Sequence, residues 1–178
     1  MLEIISQTFW LILPASIANM APVLFKWLPL LNRPVDGGRM LNGKPLFGSH
    51  KTYRGFFVGI ILAILTVYAQ FLIQPYISDE LIIKFVFEDI LYVGVLLGFG
   101  ALFGDLVESF FKRQIGIDDG KSWPVFDQID WIVGALVLFS FYQTVDLQIW
   151  MASLIMFGLL HPIMNLLGYY LGIKKTKF

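Results

Sequence analysis

No cysteine occurs in the 178 residues, which excludes disulfides and thiolate metal sites. Charge is scarce too. Thirteen basic and thirteen acidic residues make up 15% of the chain and cancel formally, so the balance itself says nothing of nucleic acid; no nucleic-acid partner is expected, and it is the distribution of charge that informs. The N-terminus lacks a basic stretch, and its first apolar run is too long for the core of a cleaved signal peptide. No internal repeat points to a second domain. What is abundant is apolar surface. A hydrophobic fraction of 57% and a mean hydropathy of +0.73 lie far above the soluble norm of about 45–50% apolar. The chain reads as one membrane-embedded domain over residues 1–178, surrounded by membrane lipids.

Crossing a bilayer core takes roughly 20 apolar residues. Residues 4–25 are free of charge, and with Lys26 snorkelling the first span is expected at about 9–31, bent or loosened by Pro14, Pro22 and Pro29. Gly55–Ser78 is again uncharged and yields a second span at about 56–74, followed by an outer connection through Asp89. A third span, about 90–111, has only fifteen uncharged residues before Asp105. That is roughly 22 Å of rise against a core of about 30 Å, which puts Asp105 below the membrane surface. The fourth, 127–145, has its uncharged run begin directly after Asp130, and the fifth covers 147–173. Eleven of the thirteen basic residues fall in the loops 32–55 and 112–126 or in the tail, while the opposite side offers only Lys84. The expected fold is therefore all-α and polytopic, with five transmembrane helices, the N-terminus outside and the C-terminus cytoplasmic in the cell membrane. Gly94/Gly98 and Gly100/Gly104 give the third helix small-residue spacings suited to close packing.

Charge is concentrated where the third and fourth spans meet the cytoplasm. Gly104–Asp130 holds six acidic residues (Asp105, Glu108, Asp118, Asp119, Asp127, Asp130) and three basic ones (Lys112, Arg113, Lys121). Charges at the edge of a bilayer core persist mainly where function needs them. Asp105 ends one helix and Asp127 and Asp130 begin the next, so an antiparallel pair brings three carboxylates to one depth. Oxygen donors of that kind suit Mg²⁺ held together with substrate phosphates. Asp127 as an N-cap with Asp130 in the first turn is the plainer alternative. A carboxylate at a helix C-terminus, where the dipole opposes it, needs some other partner, and Asp105 is such a group. Glu108 and Lys112 have the spacing of a simple helical ion pair. Ser109 shares the Asp105–Lys112 face, and Asp118–Asp119–Gly120 has turn character.

The loop PVDGGRMLNGKPLFGSHKTYRGF combines five glycines with Arg39, Lys44, His50, Lys51 and Arg54, which are donors for phosphate oxygens. It lacks the P-loop spacing, and a basic juxtamembrane loop commonly serves topology and anionic lipid instead. Paired with an acidic, metal-ready segment on the same side, it makes a place for a polyphosphate. Asn19, His161 and Asn165 are polar residues within spans, where interhelical hydrogen bonding is their usual role.

SFFKRQIGIDDGKSWPVFDQID, with Ser109, Lys112, Arg113, Asp119, Pro124, Asp127 and Asp130 in register, resembles the signature of CDP-diacylglycerol synthases, membrane CTP:phosphatidate cytidylyltransferases. It departs from the bacterial pattern at Asp118, at WPVF in place of a His-Gly-Gly stretch, and at Gln128. PVDGGRMLNGKPLFGSHKTYRG and HPIMNLLGYYLGIK resemble the archaeal branch, the CDP-archaeol synthases, over nearly the whole chain. The resemblance implies transfer of CMP from CTP to an archaeal ether lipid phosphate, with pyrophosphate released and Mg²⁺ as cofactor. With the convergence argued above, metal ligation is expected at Asp105, Asp127 and Asp130, with Lys112 joining them in catalysis. His50, Lys51, Thr52, Arg54, Lys44 and Asp119 fall to the nucleotide. Glu108, Ser109, Arg113, Asn19 and Asn165 are candidates for holding the lipid phosphate or supporting the site. An ionised phosphomonoester needs no general base to attack phosphorus, which suits a polar inventory of carboxylates and cations. A CTP-dependent polyprenol kinase or a cation transporter are the competing readings. The Gly-rich basic loop tells against the transporter. The sequence leaves oligomeric state open.

Overall fold

The computed structural model describes residues 1–172, without the side chains of residues 161, 162, 164 and 165 inside the last helix. Five helices make up the body: α1 (Leu2–Leu24), α2 (Tyr53–Ile73), α3 (Ile90–Gln114), α4 (Phe126–Phe139) and α5 (Leu147–Tyr170). Among the described residues, three segments are long and apolar enough to cross a membrane: Leu2–Leu24, Tyr53–Tyr76 and Phe87–Gln114. The fourteen residues of α4 rise only about 21 Å, short of a core of about 30 Å. Side chains of α1, α2, α3 and α4 interlock around Leu11, Ile12, Val67, Leu97, Ile132 and Leu136, and α3 packs against α1, α2 and α4.

The first helix lies seven residues earlier than the sequence suggests. Glu3 sits in its first turn, where a carboxylate favours the helix dipole, and the chain leaves the helix after Leu24, just past Pro22. Pro14 stays inside and is fully buried. Lacking an N–H, it orphans the carbonyl of Trp10 four residues back. Gln70 of α2 donates its Nε2 to that carbonyl at 2.7 Å. A buried carbonyl in an apolar surround needs such a partner. Gln70→Leu is therefore expected to lower the stability of the detergent-extracted protein by about 1–2 kcal/mol, read as a reduced melting temperature, whereas Gln70→Glu keeps the acceptor but not the amide donor and should not rescue it.

The connection between α2 and α3 is anchored by Gln74, whose side chain both donates to the Phe85 carbonyl at 2.8 Å and accepts from its N–H at 3.0 Å. The expectation of an all-α chain needs one amendment. Within the loop 32–55, β1 (Met40–Leu41) and β2 (Lys44–Pro45) pair antiparallel around Asn42–Gly43, both at positive φ (52° and 77°). Asn-Gly is the preferred pair for that tight hairpin turn. α4 also stops at Phe139 rather than near 145, and Tyr142 beyond it donates its hydroxyl to Asp89 at 2.9 Å.

Candidate active site

Glycine sets the distance between α3 and α4. A Cβ on Gly104 would lie 2.2 Å from the Asp130 carbonyl oxygen, and one on Gly134 would lie 2.2 Å from that of Gly100. The two backbones therefore touch, and Asp105, Glu108 and Asp130 come together across the seam. One carboxylate oxygen from each lies within 4.8 Å of the other two. The group is half sunk into the protein, with Glu108 only 6% exposed. Three oxygen donors this close form a set that fits a hard divalent cation.

The sequence expectation named Asp105, Asp127 and Asp130. The structure brings Glu108 to the first and third of these; Asp127 lies against Glu108 but outside the close set, and it takes further partners of its own. Its Oδ1 takes the Lys112 ammonium at 2.6 Å, and its Oδ2 accepts from the Trp123 N–H at 2.7 Å and the Ser122 hydroxyl at 3.0 Å. Asp127 thus closes the turn before α4 while lying in the helix's first turn, and the residue at the N-cap position is Val125. Lys112 also reaches Glu108 at 3.5 Å, so it is a shared cation between the acid cluster and this turn. The helical geometry hid this. Glu108 is one turn beyond Asp105 on the same face, and its spacing to Lys112 invited an ordinary ion-pair reading.

The basic loop folds over the acids. Lys51, just ahead of α2, makes a 2.5 Å ion pair with Asp105. Burial alone would lower the Lys51 pKa, but the Asp105 carboxylate outweighs it and holds the ammonium above its ordinary value. Ser49 donates both its N–H, at 2.9 Å, and its hydroxyl, at 2.7 Å, to Asp119 Oδ2, which joins the loop to the α3–α4 connection. Gly48 permits this contact. It sits at φ +98°, and a Cβ there would lie 2.8 Å from Asp119 Oδ1.

Thr52 caps α2, its hydroxyl accepting from the Gly55 N–H at 3.3 Å. Arg54 donates Nη1 to the Leu28 carbonyl at 2.6 Å, pinning the linker after α1, while its buried Nε finds no partner among the described residues. Lys44 donates to the Gln114 carbonyl at 2.5 Å and ties the hairpin to the end of α3, away from the cavity wall.

These elements enclose an open cavity of about 690 Å³. Its wall includes the expected residues Asn19, His50, Lys51, Thr52, Arg54, Asp105, Glu108, Ser109, Lys112, Arg113, Asp119 and Asp127. Asp130 belongs to the acid cluster instead. The side chain of Asn165 lies outside the described residues. Lys26, Asn32 and Ser49 also line the cavity and were not singled out beforehand as site residues. A lone Lys at a helix end reads as a snorkelling residue, and Ser49 is legible only once its bonds to Asp119 are seen.

A polar cavity of this kind, cut into a bundle of apolar helices and floored by clustered acids, belongs to an intramembrane enzyme. A solved structure described as an intramembrane enzyme for archaeal membrane lipid biosynthesis superposes with a TM-score of 0.73 at 30% identity, over 88% of this chain and 91% of the other. The family model described as CarS-like, CDP-archaeol synthase, matches residues 1–178. CDP-archaeol synthases of Methanoculleus marisnigri and Archaeoglobus fulgidus are similar at 35% and 32% identity. The first alignment covers 92% of this chain and 98% of the relative, the second 99% of each. The chain belongs to the CDP-archaeol synthase family.

Proposed function

We propose that the protein transfers CMP from CTP to an archaeal ether lipid phosphate, of the type 2,3-bis-O-geranylgeranyl-sn-glycerol 1-phosphate, to give CDP-archaeol and pyrophosphate. All five helices are embedded in the cell membrane, with the N-terminus outside and both the C-terminus and the cavity facing the cytoplasm. The observation that carries the reading is the cavity itself. It joins Asp105 and Glu108, two of the three clustered carboxylates, to the cations Lys51, Arg54, Lys112 and Arg113 at the membrane's edge.

An oxygen of the lipid phosphate forms a bond to the α-phosphorus of CTP, and the bond from that phosphorus to the β-phosphate bridging oxygen breaks, releasing pyrophosphate. The attacking oxygen is already ionised, so the protein's work is alignment and charge neutralisation. Asp105, Glu108 and Asp130 are the residues to hold Mg²⁺, which when bound would neutralise phosphate oxygens in the transferring and leaving groups. Asp127 fixes Lys112 beside that cluster, so the expected metal role for Asp127 becomes an indirect one. Lys51 stands between the acids and the cavity, where its ammonium can also meet a phosphate. Asn19, Ser109 and Lys26 line the same cavity and are candidates for the lipid phosphate.

The test is direct. Membrane-extracted protein supplied with radiolabelled CTP and a geranylgeranyl ether lipid phosphate should yield a labelled CDP-lipid and one pyrophosphate per turnover. Release of CDP with phosphorylation of a polyprenol, and no pyrophosphate, would replace the transferase by a kinase. Lys51→Ala should weaken CTP use roughly ten- to hundredfold, the cost of removing a charged donor from a buried phosphate. Arg54→Ala should also lose CTP use, and the defect should appear in KM for CTP more than in KM for lipid. Wild-type nucleotide kinetics in both variants would restrict the loop to a topological role.

A further inference from the structure

The first helix ends at Leu24, yet the chain stays apolar through Leu31, interrupted only by Lys26. In this stretch Trp27, Leu30 and Leu31 are 72%, 69% and 52% exposed. The backbone that carries them is held in place. The Leu28 carbonyl accepts from Arg54 Nη1 at 2.6 Å, and the Leu31 carbonyl accepts from the N–H groups of Arg54 at 2.9 Å and Arg33 at 2.8 Å. Leu31 itself sits at φ +53°, a left-handed conformation that leucine rarely adopts. The fold thus combines a strained backbone with a buried arginine to fix three large apolar side chains on the outside. In water such an arrangement has no favourable partner, so an apolar one is called for.

We propose that residues 25–31 form a non-helical sill inserted in the cytoplasmic leaflet, with Trp27, Leu30 and Leu31 among the acyl chains. Depth names this partner. Arg54 stands in the first turn of α2, and Lys51, three residues before it, reaches Asp105. The linker therefore lies level with the acid cluster, which the short rise of α3 from Ile90 to Asp105 puts below the membrane surface. Its apolar side chains continue the exposed surface of Val23 and Leu24 on α1 and of Tyr53 and Phe57 on α2, which faces lipid in a membrane-spanning bundle. Irregular backbone at that depth needs its polar groups satisfied. Arg54 satisfies the Leu28 and Leu31 carbonyls, and Pro29 has no N–H to satisfy. Tryptophan is a favoured residue at the membrane interface, and Arg33, exposed just beyond, adds a cation where anionic headgroups lie. Lys26 and Asn32, near the two ends of the sill, line the cavity. The sill thus has the polar cavity on one flank and lipid on the other. It rests on the membrane placement proposed above and adds to it a segment that no helix contains.

The chain has no cysteine, so a nitroxide attached to one introduced cysteine reports a single position. Full-length Trp27→Cys, Leu30→Cys and Leu31→Cys variants are labelled and reconstituted in vesicles of ether phospholipid containing an anionic lipid. Two references accompany them, Leu65→Cys in the middle of α2 and Asp118→Cys in the polar α3–α4 connection, both exposed. Relaxation of each label by oxygen, which concentrates among acyl chains, is set against relaxation by a water-soluble nickel chelate. Labels at 27, 30 and 31 should match the Leu65 position and favour oxygen severalfold more than the Asp118 position does. All three replaced side chains are exposed, and one variant that fails to fold leaves the other two to decide. Labels at 27 and 30 that favour nickel, while the Leu65 label still favours oxygen, would put the linker in water and overturn the proposal. Labels shielded from both relaxing agents would mean that a protein surface, of a partner or of a second copy, covers the patch, and would overturn it equally. A Leu65 label that behaves like the Asp118 one would instead defeat the membrane placement itself, so the two failures are distinct.

Discussion

Asp105→Asn is expected to cut turnover by at least two to three orders of magnitude while the protein still extracts and melts as a folded unit. The amide keeps the size of the carboxylate and removes one of three carboxyl oxygen donors that lie within 4.8 Å of one another. Loss of several kcal/mol of charge stabilisation in a phosphoryl-type transfer corresponds to about 10²- to 10³-fold in rate. The same change frees Lys51, whose ammonium is paired with Asp105 at 2.5 Å, so the defect should include a weaker response to added Mg²⁺. Glu108→Gln and Asp130→Asn should behave alike, each raising the Mg²⁺ concentration needed for half-maximal rate. Asp127→Asn is the contrast. Asp127 lies against Glu108 but bonds Lys112, Ser122 and Trp123 and stands outside the close set of three, so the variant should lose stability and rate without the same shift in Mg²⁺ requirement. Ca²⁺ should substitute poorly, because its longer, looser coordination misplaces the phosphates. An Asp127→Asn enzyme whose Mg²⁺ requirement rises as steeply as that of Asp105→Asn would return Asp127 to the metal and displace Glu108.

The acid cluster also shows how much of this molecule was legible beforehand. Apolar run length placed α2, α3 and α5 within about three residues at each end and the start of α4, though not its end, because a charge-free stretch in a chain this hydrophobic has little else to be. α1 escaped because its apolar run continues through Leu31. The helix ends at Leu24 for reasons of backbone chemistry: Pro22 in its last turn and a linker whose Leu28 carbonyl is claimed by Arg54. That Asp105 would meet residues of α4 followed from its depth and from the long connection between the helices. Which carboxylates would meet it did not, since the choice between Glu108 and Asp127 turns on the rotation of two helices about a seam and on a turn that recruits Asp127. The loop 32–55 announced its cations but not its hairpin. Two-residue strands carry no period, and only Asn42–Gly43 hinted at the turn. The Ser49–Asp119 bond joins residues seventy positions apart, beyond the reach of any local pattern.

Gly134→Ala is expected to be among the most damaging single-methyl additions in this protein. The new Cβ would lie 2.2 Å from the Gly100 carbonyl oxygen, and the backbone of Gly104 is 2.8 Å away, so only separation of α3 and α4 relieves the clash. Overpacking of that sort typically costs about 1–3 kcal/mol. Here no flexible side chain can give way, since both neighbours are backbone. Within lipid, helices associate through close packing rather than through expulsion of water, so a seam forced open has little to draw it shut. Separation also acts at a distance, because Asp105 follows Gly104 directly and Asp130 lies one turn before Gly134. The expected result is a melting temperature lowered by several degrees together with a Mg²⁺ requirement raised as in the carboxylate variants, although no ligand atom has been touched. Gly158→Ala supplies the control. Among the described residues its Cβ meets nothing nearer than Ile129 Cγ2 at 3.5 Å, ordinary contact, so the same substitution in α5 should leave both melting and Mg²⁺ dependence close to wild type. If Gly134→Ala melted lower but kept a normal Mg²⁺ response, the seam would be holding the fold together without setting the spacing of the acids. If it shifted both, the distance between two helix backbones would be what places the carboxylates for the metal.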